Sequence, residues 1–435
     1  MADVAISIVI PTHNRHDLMA AMLGALEAQL PGTPAFEVVA VADGCVDGTQ
    51  AMLRGYQGPI PLQIIERPGL GPSVARNAGA AAAVAPLLLF LDDDVIPTPG
   101  LVLAHAEAHT ANPGGVVIGP YPPAPHVARD AFRQMIRLWW HQHFAALAEP
   151  GHRFTFRDVL TGNLSIAREQ WEALGGLDPQ FARAREDYEL GVRIFAQGIR
   201  LHYAPKALGW HHEHQTSTLN SAFRRAREEG RSDALMALKH PHLGTTLPVV
   251  QHAARNPGRL LRLVFRSAKG RPLEWLLPVA IAALSLFNAL GWRQAFWPLH
   301  ARLHRYAYLR GAASVLGNHW WKLQAQAERS EPAPLAVDLA DGFAAVEAQL
   351  AAARPRAVRV MMRGDELALL PDETGVEPWD ARHFRPALLA RLGARALLPL
   401  IFGEDSRAPG WADVGVRNFD AQLAEARRQW ARADL

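Results

Sequence analysis

The chain has 435 residues, too many for one ordinary core, so two or more structural units are expected. Apolar residues make up 49% and both charge signs are mixed throughout, which excludes a disordered chain, while a net charge of +3 is too small to argue for nucleic acid by itself. The only cysteine, Cys45, excludes an internal disulfide framework and any multi-cysteine zinc or iron–sulfur site, and it suits a reducing compartment.

Residues 1–5 pass straight into the apolar run Ile6–Ile10, with no basic segment ahead of a long apolar core. No secretory signal is read there, and a cytoplasmic location is expected. Ile6–Ile10 reads as a buried strand closed by Pro11 and Thr12. Asp17–Gln29 follows with helical spacing, its Leu18, Met22, Leu23 and Leu26 on one face. Further strands are predicted over Phe36–Ala42, Leu62–Ile65 and Pro86–Leu91, and a helix over Arg76–Val84. Strands alternating with helices predict an α/β fold with a mainly parallel sheet, and ligands in such sheets sit at the carboxyl ends of the strands. The polar clusters Thr12–Arg15, Asp43–Thr49 and Asp92–Asp94 fall at those ends.

Leu160–Ile166 reads as extended, Arg168–Leu174 and Asp187–Gln197 as helices, and Leu201–His211 as two short strands around Pro205. From Asn256-Pro257, a favourable helix start, the character changes. Arg259, Arg262, Arg266 and Lys269 recur at helical spacing opposite Leu260, Leu261, Val264 and Ala268. Trp275–Trp292 is an apolar run without charge, near the lower limit for a membrane span and weakened by Pro278. An interfacial or re-entrant helix pair on an anionic membrane surface fits it better than a clean crossing; the alternative is a buried helical hairpin packed on the rest of the chain. Residues 328–334 read as a linker. Beyond them, strands at Leu335–Leu339, Val358–Met362 and Leu397–Phe402, with helices near Gly342–Ala352 and Ala381–Leu392, predict a small α/β domain over 335–435.

Three adjacent carboxylates after a buried strand, Asp92-Asp93-Asp94, repel one another and resist burial. A divalent cation relieves both, and Mg²⁺ or Mn²⁺ takes hard oxygen ligands while bridging phosphates. Taken alone, the cluster reads first as a solvated acidic turn. Its neighbours decide between the two. Ser7–Arg15, Val41–Thr49, Ser73–Gly79, Phe90–Asp94, Gly162–Ser165 with Gly175–Asp178, and Glu186–Leu190 resemble, in order, six motifs of the inverting family 2 glycosyltransferases. The resemblance covers residues 6–231 and implies a GT-A fold, placing the catalytic domain in 1–231, a helical, membrane-associated segment in 232–327 and the tail domain in 335–435.

The resemblance also assigns roles. Pro11, Thr12, Asn14 and Arg15 belong to the nucleotide loop, and Asp43 accepts a hydrogen bond from the base, against the plainer reading of an Asp-Gly turn residue. Ala42 stands where the family often has a first acidic residue, and Cys45 where serine is usual; Cys45 reads as a small packed residue. Arg76 either pairs with the diphosphate or is a solvated helix residue, and its place after a Gly-Pro-Ser loop favours the first. Asp92 and Asp93 meet the ribose or donor sugar, Asp94 ligates the metal, and His211 joins it, with His212 as second choice. Asp187 is the general base, and Glu186 holds the acceptor or orients Asp187; the plainer reading of the pair is an acidic helix start. Trp210 forms an acceptor wall or belongs to the core.

The implied reaction moves a sugar from a nucleotide-sugar, UDP-linked by resemblance, to a glycan or lipid-linked acceptor at the inner face of the cytoplasmic membrane. The Gln-x-x-Arg-Trp motif of the processive synthases is absent from the sequence, which favours non-processive transfer. Rival readings are a nucleotidyltransferase that makes nucleotide-sugars and a non-catalytic glycan-binding protein on the same fold.

Overall fold

The computed structural model describes residues 4–125, 130–255, 258–266, 274–323 and 332–393. They fall into two compact units, one from residues 1–145 with 155–328, the other from 146–154 with 329 onward.

The first unit is built on a seven-stranded sheet. Its strands are β1 (Ile6–Thr12), β2 (Phe36–Asp43), β3 (Leu62–Arg67), β4 (Leu87–Leu91), β6 (Val116–Ile118), β7 (Asn163–Ala167) and β8 (Leu201–Tyr203), with β5 (Val95–Pro97) and β9 (Gly209–His211) forming a separate two-stranded ribbon. The sheet order is β3-β2-β1-β4-β7-β6-β8; only β7 runs antiparallel to its neighbours β4 and β6. This mixed, mainly parallel sheet flanked by helices matches the expected α/β class.

The central strands are largely apolar because both faces are covered, and the polar residues near the starts of β1 and β2 bond each other, the buried Ser7 hydroxyl donating to Glu37 at 2.6 Å. Ile6, Ile8 and Ile10 pack with Met19, Met22 and Leu26 of the His16–Glu27 helix. On the opposite face the Pro72–Ala82 helix approaches at Gly79, where a Cβ would lie 2.4 Å from Val9 Cγ1. That helix begins earlier than predicted, with Pro72 in its first turn where no N–H is needed. Pairing of Thr12 with Ala42 in register, and of Leu91 with Asn163, sets the ends of β1, β2 and β4 along one edge.

Two glycines join the helices Leu219–Lys239 and Arg293–Leu316. A Cβ on Gly230 would sit 1.8 Å from the Tyr308 carbonyl oxygen, and one on Gly311 would sit 1.8 Å from that of Arg227. The buried Tyr308 hydroxyl donates to Asp233 at 2.6 Å across the same crossing. The apolar run 275–292 contains the Leu277–Ala289 helix, and Pro278 lies in its first turn, so it starts the helix instead of breaking it. No helix among the described residues is long and apolar enough to cross a membrane.

In the second unit β10 (Leu335–Asp338) pairs parallel with β11 (Val358–Met362), which pairs antiparallel with β12 (Asp365–Leu370). The helices Phe343–Ala353 and Ala381–Leu392 close a core of Val337, Val346, Leu350, Val360 and Phe384. Residues 146–154 belong here: the Arg153 guanidinium lies 3.6 Å over the Trp379 ring, and Phe154 N–H donates to buried Glu377 at 2.9 Å. The strand predicted at Leu397–Phe402 lies outside the described residues.

Candidate active site

The edge formed by the ends of β1, β2 and β4 gathers most of the residues singled out in the sequence. After β1, Asn14 takes a left-handed φ of +56° and turns its side-chain oxygen to the backbone N–H groups of Val46 (2.8 Å) and Asp47 (3.3 Å). Asn14 therefore pins the loop after β2. Cys45 packs in the same corner, accepting from Asn14 N–H at 3.4 Å, and burial pushes its thiol pKa up; it has the packed character expected of it. Asp43 at the end of β2 is buried, and its carboxylate accepts three backbone N–H groups, from Gly69, Leu70 and Gly71, at 2.7–3.0 Å. Those bonds shape the loop leading to the Pro72–Ala82 helix, and they occupy most of the acceptor capacity expected to meet the base.

That helix ties its start to a segment a hundred residues away. The Ser73 hydroxyl donates to the Phe181 carbonyl at 2.6 Å, and Asn77 brackets Leu177 by giving to its carbonyl (2.7 Å) and taking from its N–H (2.9 Å). Arg76, expected at a diphosphate, is instead buried between two carboxylates. Its Nη1 donates to Glu186 at 3.1 Å and its Nη2 to Asp92. Burial works against its charge, but the two acids outweigh that and raise its pKa. Arg76 thus joins the acidic motif after β4 to the acidic pair at the start of the Glu186–Ala196 helix. The solvated alternative is also excluded by its burial.

Of the triple aspartate, Asp92 is held by Arg76, while Asp93 accepts from His13 N–H at 3.3 Å and lies 3.8 Å from Arg15 Nε. Burial, then the charge of Asp94, pushes the Asp93 pKa up to about 7. Asp94 faces His211, with 3.6 Å between Oδ2 and Nε2. The cause is the ribbon: Val95 pairs with His211 in register, placing the residue before one strand beside the end of the other. Burial would raise Asp94, but His211 reverses it and brings the pKa down to about 2. His212 meets Asp94 through its backbone N–H (2.8 Å), not its ring.

The ring of His211 is packed by Trp140, centroids 5.1 Å apart, and by Tyr121 at 5.7 Å. Trp210 alternates to the other side of the strand, so Trp140 is the tryptophan against this site. Asp94 Oδ2 and His211 Nε2 converge as a carboxylate and an imidazole, donor types a divalent cation takes, while His211 Nδ1, the other ring nitrogen, is buried without a hydrogen-bond partner. No group of three or more His, Cys, Asp or Glu that could hold a metal occurs among the described residues.

Asp187 follows Glu186 and is partly exposed. Burial of its carboxyl and the charge of Glu186 push its pKa up to about 7, against the pull of Arg225 and Arg185. Arg185 caps the helix in a left-handed conformation (φ +64°), held by Glu229 at 3.5 Å and Asp233 at 3.4 Å. These supports were missed in the sequence, although Arg225, Glu229 and Asp233 repeat every four residues along one face of the Leu219–Lys239 helix. A cleft of ≈ 550 Å³ opens beside them, lined by Trp139, Arg157, Arg185, Tyr188, Glu229 and His304 among others.

Two family models match the chain. Glycosyl transferase family 2 matches residues 7–166, and glycosyl transferase family group 2 matches residues 87–303. The chain belongs to the family 2 glycosyltransferases. Among curated members it resembles validoxylamine A glucosyltransferase of Streptomyces hygroscopicus subsp. limoneus, 32% identical over 235 residues, 48% of this chain and 52% of that one. The chondroitin synthase of Escherichia coli is 24% identical over 238 residues, 48% of this chain and 34% of that one. The chain therefore spans about half the length, or less, of these family 2 relatives. Solved structures similar to it include the mannosyltransferase PcManGT from Pyrobaculum calidifontis in complex with GDP-Man and Mn²⁺, at 22% identity and a TM-score of 0.42 over 74% of this chain and 89% of that one. Another is S. aureus TarS 1–349, at 14% identity and a TM-score of 0.42 over 72% and 92%. The first family match ends within β7, and the second takes in Asp187, His211 and the helices that follow.

Proposed function

We propose that this family 2 chain is an inverting, non-processive glycosyltransferase that moves a sugar from a nucleotide-sugar, UDP-linked by family resemblance, to a hydroxyl of a glycan or lipid-linked acceptor. The observation that carries the reading is the placement of Asp187: it is partly exposed at the start of the Glu186–Ala196 helix, next to Glu186, which Arg76 joins to Asp92 of the acidic motif. Burial of its carboxyl and the charge of Glu186 raise its pKa, the direction that suits a general base. The acceptor is assigned to the side of the cleft lined by Arg185 and Tyr188, the residues two before and one after Asp187 in the chain. Ionised Asp187 takes the proton of its hydroxyl as that oxygen bonds to the anomeric carbon. The bond from that carbon to the diphosphate breaks on the opposite face, and its electrons leave with the diphosphate.

Asp94 and His211 would hold Mg²⁺ or Mn²⁺, which supplies positive charge to the departing diphosphate. Arg15, 3.8 Å from Asp93, brings a positive charge to the nucleotide loop. Pro11 and Thr12 close β1 beneath the nucleotide, and Asp43 acts there through the loop it shapes. Asp92 and Asp93 face the ribose or donor sugar. The single cysteine suits a reducing, cytoplasmic setting.

A panel of nucleotide-sugars, each with Mg²⁺, Mn²⁺ or a chelator, tests the reading. Release of nucleoside diphosphate from one donor, lost with the chelator, is expected. No nucleoside diphosphate from any donor, with pyrophosphate released from a nucleoside triphosphate and a sugar 1-phosphate, would identify a nucleotidyltransferase instead.

A further inference from the structure

The Leu277–Ala289 helix is apolar all round, a composition that soluble helices adopt only when buried on every side. Here one side alone is covered. Leu284 is fully buried, with Ile281 and Phe287 packed beside it against Phe132, Phe223 and Phe296. On the opposite side Trp275, Val279, Leu286 and Leu290 recur at spacings of four, seven and four residues, which places them in one stripe. All four are more than half exposed, as is Trp292 at the helix's far end.

Charge around the stripe has one sign. From Gln251 to Leu323 the sequence carries eleven lysines and arginines and a single acid, Glu274. That acid is already paired with Arg310 at 3.0 Å. Arg293 follows Trp292 directly, and Arg293, Trp297 and Arg305 lie exposed on the next helix. Thirteen helical residues span about 20 Å, short of the roughly 30 Å of a bilayer's hydrocarbon core. An apolar stripe with tryptophans at both ends and arginines beside it matches a helix lying in the headgroup region.

We propose that this stripe seats the protein on an anionic lipid bilayer, with Trp275, Val279, Leu286 and Leu290 entering the acyl boundary and the flanking arginines meeting the headgroups. The proposal deepens the reading of a transferase with a lipid-linked acceptor and rests on it for its purpose.

Its test is separate. The full chain is sedimented with vesicles of phosphatidylcholine containing phosphatidylglycerol, and with vesicles of phosphatidylcholine alone. The parent is expected to pellet with the anionic vesicles, and Leu286→Glu combined with Leu290→Glu to lower that binding at least tenfold. Nucleotide-sugar turnover without lipid should be equal in the two, so that lost vesicle binding is distinguished from lost chemistry. If the double variant does not fold, Leu286→Ser provides the same comparison. A parent that stays in the supernatant with anionic vesicles overturns the proposal, as does a variant that pellets equally. A dimer in solution that the substitutions split would assign the stripe to a second copy and overturn it too.

Discussion

Arg76 places a planar guanidinium between Asp92 and Glu186, and its fork suits two carboxylates in a way that an ammonium does not. Removing it with Arg76→Ala leaves the buried Glu186 unpaired, which costs about 3 kcal/mol of folding stability, and urea denaturation should show a loss of that order. Stability within error of the parent would show that Arg76 holds nothing. Asp187 gives a prediction in pH. Its pKa is raised to about 7, and it works as a base only when ionised, so kcat/KM should fall about tenfold per pH unit below 7 and level off above it. Asp187→Asn should lower kcat by roughly 10²–10⁴ while donor affinity holds, and the acid limb should vanish with it. A limb that survives the substitution belongs to another group.

The type of each of these residues was legible in the sequence, whereas its partner was not. Arg76 and Glu186 are 110 positions apart, and nothing local in either stretch announces their contact. The strands β1, β2 and β4 were legible because burial on both faces leaves largely apolar runs. The β5–β9 ribbon, three residues on each side, is too short to show a period, yet it is what brings His211 to Asp94. The Leu219–Lys239 helix was missed, and its charged stripe behind Arg185 with it. Its crossing with Arg293–Leu316 yields a test. Alanine is the better helix former by about 1 kcal/mol, but at Gly230 its Cβ would lie 1.8 Å from a backbone oxygen, a clash that outweighs the gain. Gly230→Ala should therefore lower the melting temperature; a rise would show that the two helices do not meet as described.

At the scale of the molecule, two units of separate core divide the chain, and the chemistry gathers in the first. The helical segment after the sheet reads as one basic, apolar stretch in the sequence; only the structure shows which face of its central helix remains uncovered. The second unit is assembled from residues 146–154 and from 329 onward, a joining of distant stretches with no local sign in the sequence. Proton NMR of a running transfer follows the anomeric signal of the donor sugar into the product and so reports the face on which the acceptor activated by Asp187 attacks. Inverted configuration in the parent, with one nucleoside diphosphate released per transfer and product from Asp187→Asn formed at least about a hundredfold more slowly, is the result predicted. Retained configuration, or product formed by Asp187→Asn at the parent's rate, would contradict it.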